Sequence, residues 1–167
     1  MAGPLIVTAE LGPEDFSWLN DLRRRHYPVD RNRLLAHLTM FHALPPSAEQ
    51  EARQLLAGLA ARPAPRAFIA GLMDLGGGVA FRIGSEELDI VRAEIADRLS
   101  GLLTAQDRAG WSAHLTIQNK VPPREAKALI QALGSQFDRR PVRIAGLGLQ
   151  RYLGGPWQTL RTYSFRG

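Results

Sequence analysis

Residues 37–46 read HLTMFHALPP, and residues 114–123, 77 positions later, read HLTIQNKVPP. His, Leu, Thr and both prolines keep the same register in the two stretches. Two later segments keep the same order: IAGL at 69–72 and 144–147, then LGGG at 75–78 and LGGP at 153–156. A period this long does not fit a solenoid repeat. It predicts one domain built from two related halves.

The segments between these anchors alternate between strand and helix periods. Runs such as 5–11 and 113–119 are typical of strands, and apolar residues at helical spacing follow them. We therefore expect an α+β fold in one duplicated bilobal domain, 1–167, with halves at about 1–78 and 79–167. Two mixed, mainly antiparallel sheets should face a central cleft and carry helices on their outer faces.

Two helix starts can be read from capping residues. Ser47-Ala48-Glu49-Gln50 has the pattern of a capping box and predicts a helix from there to about residue 61. Ser85, followed by two glutamates, predicts the cap of a later helix.

The composition is that of one globular domain. The chain has 167 residues, 45% of them hydrophobic and 22% charged, which excludes disorder as the main state. We expect no membrane helix, because no apolar run approaches roughly 20 residues, and no signal peptide, because the first residues lack its pattern. The absence of cysteine excludes disulfides, thiolate catalysis and Cys-ligated zinc. The cytoplasm is the expected compartment.

The charge balance favours an anionic partner. The net charge is +5, and Lys120 and Lys127 are the only lysines among 21 basic residues. Arginine offers a planar fork that suits phosphate. A GC-rich genome would produce the same bias towards arginine, so the charge alone supports nucleic-acid binding weakly.

The two triplets carry the chemistry. Side chains alternate along a strand, so His37 and Thr39 share one face, and so do His114 and Thr116. Two imidazoles can act as base and acid on opposite sides of a phosphorus atom. The threonine hydroxyls can donate hydrogen bonds to the non-bridging oxygens, where charge develops. This chemistry requires no metal.

The paired His-x-Thr triplets resemble those of the 2H phosphoesterase superfamily, in particular the bacterial 2′-5′ RNA ligase-like proteins, also called RNA 2′,3′-cyclic phosphodiesterases. The resemblance implies a bilobal fold with a cleft. It also implies hydrolysis of 2′,3′-cyclic phosphate RNA ends to 2′-phosphates, with reversible 2′-5′ ligation and without metal or ATP. The residues it marks as catalytic are His37, Thr39, His114 and Thr116.

One departure leaves the substrate open. Many members of the superfamily carry another apolar residue and an arginine shortly after the first triplet, whereas Met40-Phe41-His42 follows here. Two other functions therefore stay open. One is an RNA-end binding module with little turnover, and the other is a phosphodiesterase for a small cyclic nucleotide or an oligoadenylate.

Further candidates for substrate binding surround the triplets. Phe41 shares the face of His37 by alternation and could stack on a base, although core packing fits as well. His42 falls on the opposite face and is interpreted as structural. Lys120 falls on the His114 side of its strand and could meet a phosphate.

A basic cluster at 23–33 includes His26 and Tyr27, which could contact a nucleotide. A solvated helix end explains that cluster equally well, because cations suit the helix dipole there. Arg151 and Tyr152 occupy hairpin positions that could line the cleft.

Overall fold

Residues 2–166 are described by the computed structural model, and they alternate between strands and helices. The strands are β1 (Leu5–Leu11), β2 (Leu38–Leu44), β3 (Arg66–Asp74), β4 (Val79–Gly84), β5 (His114–Gln118), β6 (Pro141–Tyr152) and β7 (Trp157–Ser164). The helices are α1 (Pro13–His26), α2 (Glu49–Ala60), α3 (Glu86–Arg98), α4 (Ala105–Arg108) and α5 (Pro123–Leu133). Among these residues no helix has the length and apolar character needed to span a membrane.

The strands form one antiparallel sheet rather than the two separate sheets expected. Their order is β2-β1-β6-β3-β4-β5, with β7 also paired to β6. The long strand β6 joins the two parts, because its first residues pair with β3 and the rest pairs with β1 and β7. The α+β class is confirmed, and every strand pairing within residues 2–166 is antiparallel rather than mixed.

The strand order is symmetric about the boundary between β6 and β3. The chain runs β1-α1-β2-α2-β3 and then β4-α3-β5, the short α4 aside, followed by α5-β6. The last strand of the first series, β3, pairs with β4, the first strand of the second series. The last strand of the second series, β6, pairs with β1. The triplet strands β2 and β5 thus lie at the two ends of the sheet, and they also contact each other. The division into two lobes stays a prediction.

One of the two helix caps is confirmed and the other is wrong. The Ser85 hydroxyl accepts a hydrogen bond of 3.1 Å from the N–H of Leu88 and caps α3. The predicted capping box at Ser47 is absent, because residues 46–48 form a 3-10 turn and α2 begins at Glu49 without a side-chain cap. Pro45 before this turn and Pro46 at its first position fix the backbone and delay the helix.

Candidate active site

The two triplet histidines are held in the same way. His37 Nδ1 lies 2.8 Å from the carbonyl oxygen of Leu35, and His114 Nδ1 lies 2.8 Å from that of Ser112. A carbonyl oxygen only accepts, so Nδ1 is the donor in each case. The contact orients each ring and leaves Nε2 free for a reacting group.

A buried alanine precedes each histidine and brings the two chain segments close to the core. Ala36 and Ala113 are both buried, so the repeated unit is Ala-His-Leu-Thr. A larger residue here would push the turn that supplies the carbonyl partner away from the sheet. This identity in the sequence was a signal for the shared geometry.

A β-bulge follows the first triplet. Residues 7 and 8 of β1 pair with Phe41 and Thr39, so Met40 is an extra residue in β2. A bulge reverses the alternation of side chains beyond it. Phe41 consequently turns into the core, where it is 0% exposed and lies 4.1 Å below the guanidinium of Arg92. This corrects the stacking role for Phe41, which has no free face for a base.

A second bulge follows the second triplet. Residues 79 and 80 of β4 pair with Gln118 and Thr116, so Ile117 is the extra residue. Lys120 lies beyond the end of β5 with a left-handed φ of 61° and an exposed side chain. Alternation from His114 therefore does not place Lys120 beside that histidine, as the sequence had indicated.

The same reversal changes the interpretation of His42. Phe41 faces the core, so the next residue, His42, points to the solvent side, as His37 and Thr39 do; a second register shift follows between Phe41 and Leu44. Its side chain is 42% exposed. The side-chain alternation assumed for this strand gives no sign of the extra residue.

Burial lowers the pKa of His37 to about 4. The hydrogen bond with Leu35 opposes this effect, and the charges of Arg23, His114 and His42 lower the pKa further. His37 is therefore neutral at pH 7 in the free protein. The Arg23 guanidinium near it also makes the site attractive to an anion, which would raise the pKa of His37 on binding.

His37 should make the protein less stable in acid. The unfolded imidazole takes up a proton near pH 6.5, whereas the folded protein resists until about pH 4. Between these values the unfolded state binds more protons, so the free energy of unfolding falls as the pH drops, by about 3 kcal/mol at full extent. Urea unfolding at pH 7 and pH 4 should show a smaller loss for His37→Gln than for wild type. Equal losses would contradict this assignment.

Arg23 ties α1 to the second triplet. Its side chain is 3% exposed, and Nη1 donates to the carbonyl oxygen of Thr116 at 2.9 Å. Nε donates to Asn32 Oδ1 at 2.9 Å and to the Leu34 carbonyl oxygen at 3.2 Å, in the segment before His37. One buried guanidinium thus connects the supports of both triplets.

Arg92 of α3 contacts the strand of the first triplet in the same way. Its buried guanidinium donates to the carbonyl oxygen of Met40, at the first bulge, over 3.2 Å. It also donates to the carbonyl oxygen of Asp107 over 2.7 Å. Nearby, the indole N–H of Trp111 donates to the Thr39 carbonyl oxygen over 3.2 Å. Each half of the chain therefore holds the triplet strand of the other half.

A cavity of about 320 Å³ lies beside His37. The ring of Trp157 meets the His37 ring edge to face, with centroids 4.7 Å apart. Polar side chains on β1, β6 and β7 line the other side of the cavity: Thr8, Glu10, Gln150 and Thr159. This wall was missed at the level of the sequence, because only the strand pairing brings these distant residues together.

The remaining candidates lie in other surroundings. Tyr27 is buried, with the Arg23 guanidinium 4.3 Å from its ring. Arg151 donates to Glu49 on α2 over 2.6 Å, on the opposite face of β6 from Gln150. Both side chains therefore make packing contacts and do not line the cleft.

The other two candidates lie at the ends of secondary-structure elements. Tyr152 is exposed at the end of β6. His26 is half-buried at the end of α1, where burial and then the charge of Arg25 lower its pKa. No group of three or more His, Cys, Asp or Glu side chains within residues 2–166 is arranged to hold a metal ion.

The sequence places the chain in a known family. The 2′-5′ RNA ligase superfamily matches residues 11–156, and the chain belongs to that superfamily. Membership supports a phosphoesterase or 2′-5′ RNA ligase-like activity. No curated protein matches the sequence.

Solved structures share the fold at low identity. TT0787 of Thermus thermophilus is 18% identical, with a TM-score of 0.64 over 98% of each chain. E. coli LigT complexed with 3′-AMP is 14% identical, with a TM-score of 0.62 over 100% of each chain. A protein described as a phosphoesterase is 15% identical, with a TM-score of 0.64 over 100% of each chain. These similarities establish the fold.

Proposed function

We propose that this protein hydrolyses the 2′,3′-cyclic phosphate at an RNA end to a 2′-phosphate. The observation that carries the proposal is the matched pair of imidazoles, each fixed through Nδ1 with Nε2 free. His37 lies immediately before β2, and His114 is the first residue of β5. These strands contact each other, and the histidines are close enough for the charge of His114 to lower the pKa of His37.

The reaction needs one proton acceptor and one proton donor. Water attacks phosphorus while one imidazole takes its proton, and the P–O3′ bond breaks as the other imidazole protonates O3′. Thr39 and Thr116 donate hydrogen bonds to the non-bridging oxygens. His37 is neutral at pH 7 in the free protein and can therefore take the proton of the attacking water. In the ligation direction a 5′-hydroxyl replaces water with the same base and acid, and the roles exchange only in the reverse reaction, cleavage of the 2′-5′ bond.

The cavity beside His37 supports a nucleotide as the ligand. Its volume of about 320 Å³ suits a nucleoside, and the Trp157 ring offers an aromatic surface for a base. The 3′-AMP, ATP and NADP+ complexes of E. coli LigT show that a protein of this fold binds nucleotides.

The direct test is hydrolysis of a short RNA ending in a 2′,3′-cyclic phosphate, with EDTA present. We expect turnover to a 2′-phosphate, no loss of rate with EDTA, and a bell-shaped dependence of kcat/KM on pH. Well-folded protein that binds the RNA in a salt-sensitive way without turnover would instead indicate an RNA-end binding module. Turnover of cyclic mononucleotides or oligoadenylates alone would reassign the substrate.

A further inference from the structure

On the side of the chain that carries His37 and Thr39, the first side chain after the triplet is that of His42. The bulge at Met40 puts it there, and the exposed side chain confirms that it does not join the core. Its charge also lowers the pKa of His37. The mechanism proposed above uses neither nitrogen of this ring.

A buried carboxylate fixes the orientation of His42. The side chain of Asp107 is 0% exposed and lies 3.1 Å from His42 Nδ1. The same carboxylate accepts the backbone N–H groups of His42 and Ala43 over 2.9–3.0 Å. Burial alone would raise the pKa of Asp107, but these hydrogen bonds lower it, so the group is ionised at neutral pH.

The hydrogen bond with Asp107 determines which nitrogen faces outward. An ionised carboxylate only accepts, so Nδ1 donates and Nε2 is left for a ligand. When Nε2 also carries a proton, the ring is a cation held between the Asp107 carboxylate and whatever anion meets Nε2. This is the arrangement expected of an anion-binding histidine that takes part in no proton transfer.

The surroundings of Asp107 are built from several elements. Arg92 donates to the Asp107 carbonyl oxygen over 2.7 Å and to the Met40 carbonyl oxygen over 3.2 Å. The Thr104 hydroxyl accepts the Asp107 N–H over 3.3 Å. The carboxylate would brace residues 42 and 43, at the second register shift of β2, through the two backbone N–H groups alone. The exposed imidazole therefore adds something that bracing does not require.

The internal repeat does not explain the imidazole either. The residue that corresponds to His42 after the second bulge is Asn119, whose side chain accepts the N–H of Lys120 over 2.9 Å. A third histidine in the first half is therefore a separate feature of this site.

We infer that His42 binds the phosphate that precedes the terminal cyclic phosphate in an RNA chain. This inference rests on the proposed function, in which Thr39 holds the reacting phosphate. Neighbouring positions on one face of a strand lie about 7 Å apart, so His42 reaches a group one step further along the ligand. A cyclic mononucleotide has no phosphate there, whereas an oligonucleotide always has one. His42 thus selects RNA ends over free cyclic mononucleotides.

The experiment compares uridine 2′,3′-cyclic phosphate with the UpU dinucleotide that carries the same cyclic end. We expect His42→Gln to lower kcat/KM for the dinucleotide roughly tenfold, mainly through KM, because it loses one charge-assisted hydrogen bond. The mononucleotide should change less than about twofold. Glutamine can still donate to Asp107, which preserves the fold. Lys127→Gln, on the exposed side of α5, controls for net charge and should change neither substrate.

Two other outcomes would overturn the inference: an equal loss on both substrates, or no loss on the dinucleotide. Binding of the 2′-phosphate products supplies a readout that does not need turnover. Wild type should bind the dinucleotide product roughly tenfold tighter than uridine 2′-phosphate, and His42→Gln should remove that preference. If wild type turns over neither substrate, the proposed function fails, and the binding ratio still decides the role of His42.

Discussion

Replacing either His37 or His114 with alanine is expected to lower kcat/KM for a 2′,3′-cyclic phosphate RNA by about 10²–10⁴-fold, the loss typical of one acid or base. Both effects should be large, because both rings are fixed by the same carbonyl contact of 2.8 Å and neither can replace the other. The measurement is initial-rate kinetics on wild type and the two variants under identical conditions.

Two controls keep a loss of activity apart from a loss of structure. His37→Gln and His114→Gln retain an amide that can donate to the carbonyl of Leu35 or Ser112, but glutamine cannot transfer a proton at neutral pH. They should be as inactive as the alanine variants while unfolding cooperatively in urea. Activity within a few-fold of wild type in either glutamine variant would refute a two-histidine mechanism.

The chemistry of this site could be predicted from the sequence because it is local. The order of residues within each triplet and the period of a strand suffice to place His37 with Thr39 and His114 with Thr116. The repeat also indicated the α+β class, since two copies of one strand-helix pattern require a related topology. The sequence could not predict that the strands form one sheet. This depends on β6 being long enough to pair with β3 through its first residues and with β1 along the rest.

The residues around the triplets were harder to predict because one inserted residue reverses the side chains that follow it, up to the second register shift between Phe41 and Leu44. Strict alternation of side chains from His37 assigned Phe41 to the cleft and His42 to the opposite face. The bulge at Met40 exchanges them. No pattern of apolar residues marks a bulge, since Met40 and Phe41 are both apolar and both buried. The pairing partner on β1 decides which of them is extra.

The role of Arg23 was also beyond the reach of the sequence alone. Within Arg23-Arg24-Arg25 the three side chains look equivalent and suggest a solvated helix end or a contact with RNA. The structure separates them, because Arg23 is 3% exposed whereas the side chain of Arg25 is 66% exposed and pairs with Asp21. The difference arises from the helix phase and from the carbonyl groups that meet Arg23 across the molecule.

Arg23→Met should therefore destabilise the protein by about 3 kcal/mol and also reduce its activity. The substitution keeps an unbranched apolar stem but leaves the carbonyl oxygens of Thr116 and Leu34 without their charged donor, at a cost of about 1–3 kcal/mol for each buried group.

The matched control for Arg23→Met is Arg25→Met on the same helical turn, which removes one surface ion pair and should cost less than about 1 kcal/mol. Urea unfolding gives the difference in stability between the two variants, and cyclic phosphate hydrolysis well below the unfolding transition gives the difference in activity. Arg23 holds the segment before His37 and the strand of His114 through one guanidinium. Its loss should therefore lower kcat even in protein that remains folded, because the two imidazoles lose their fixed separation. Equal stability and equal kcat in the two variants would show that this guanidinium does not connect the triplets.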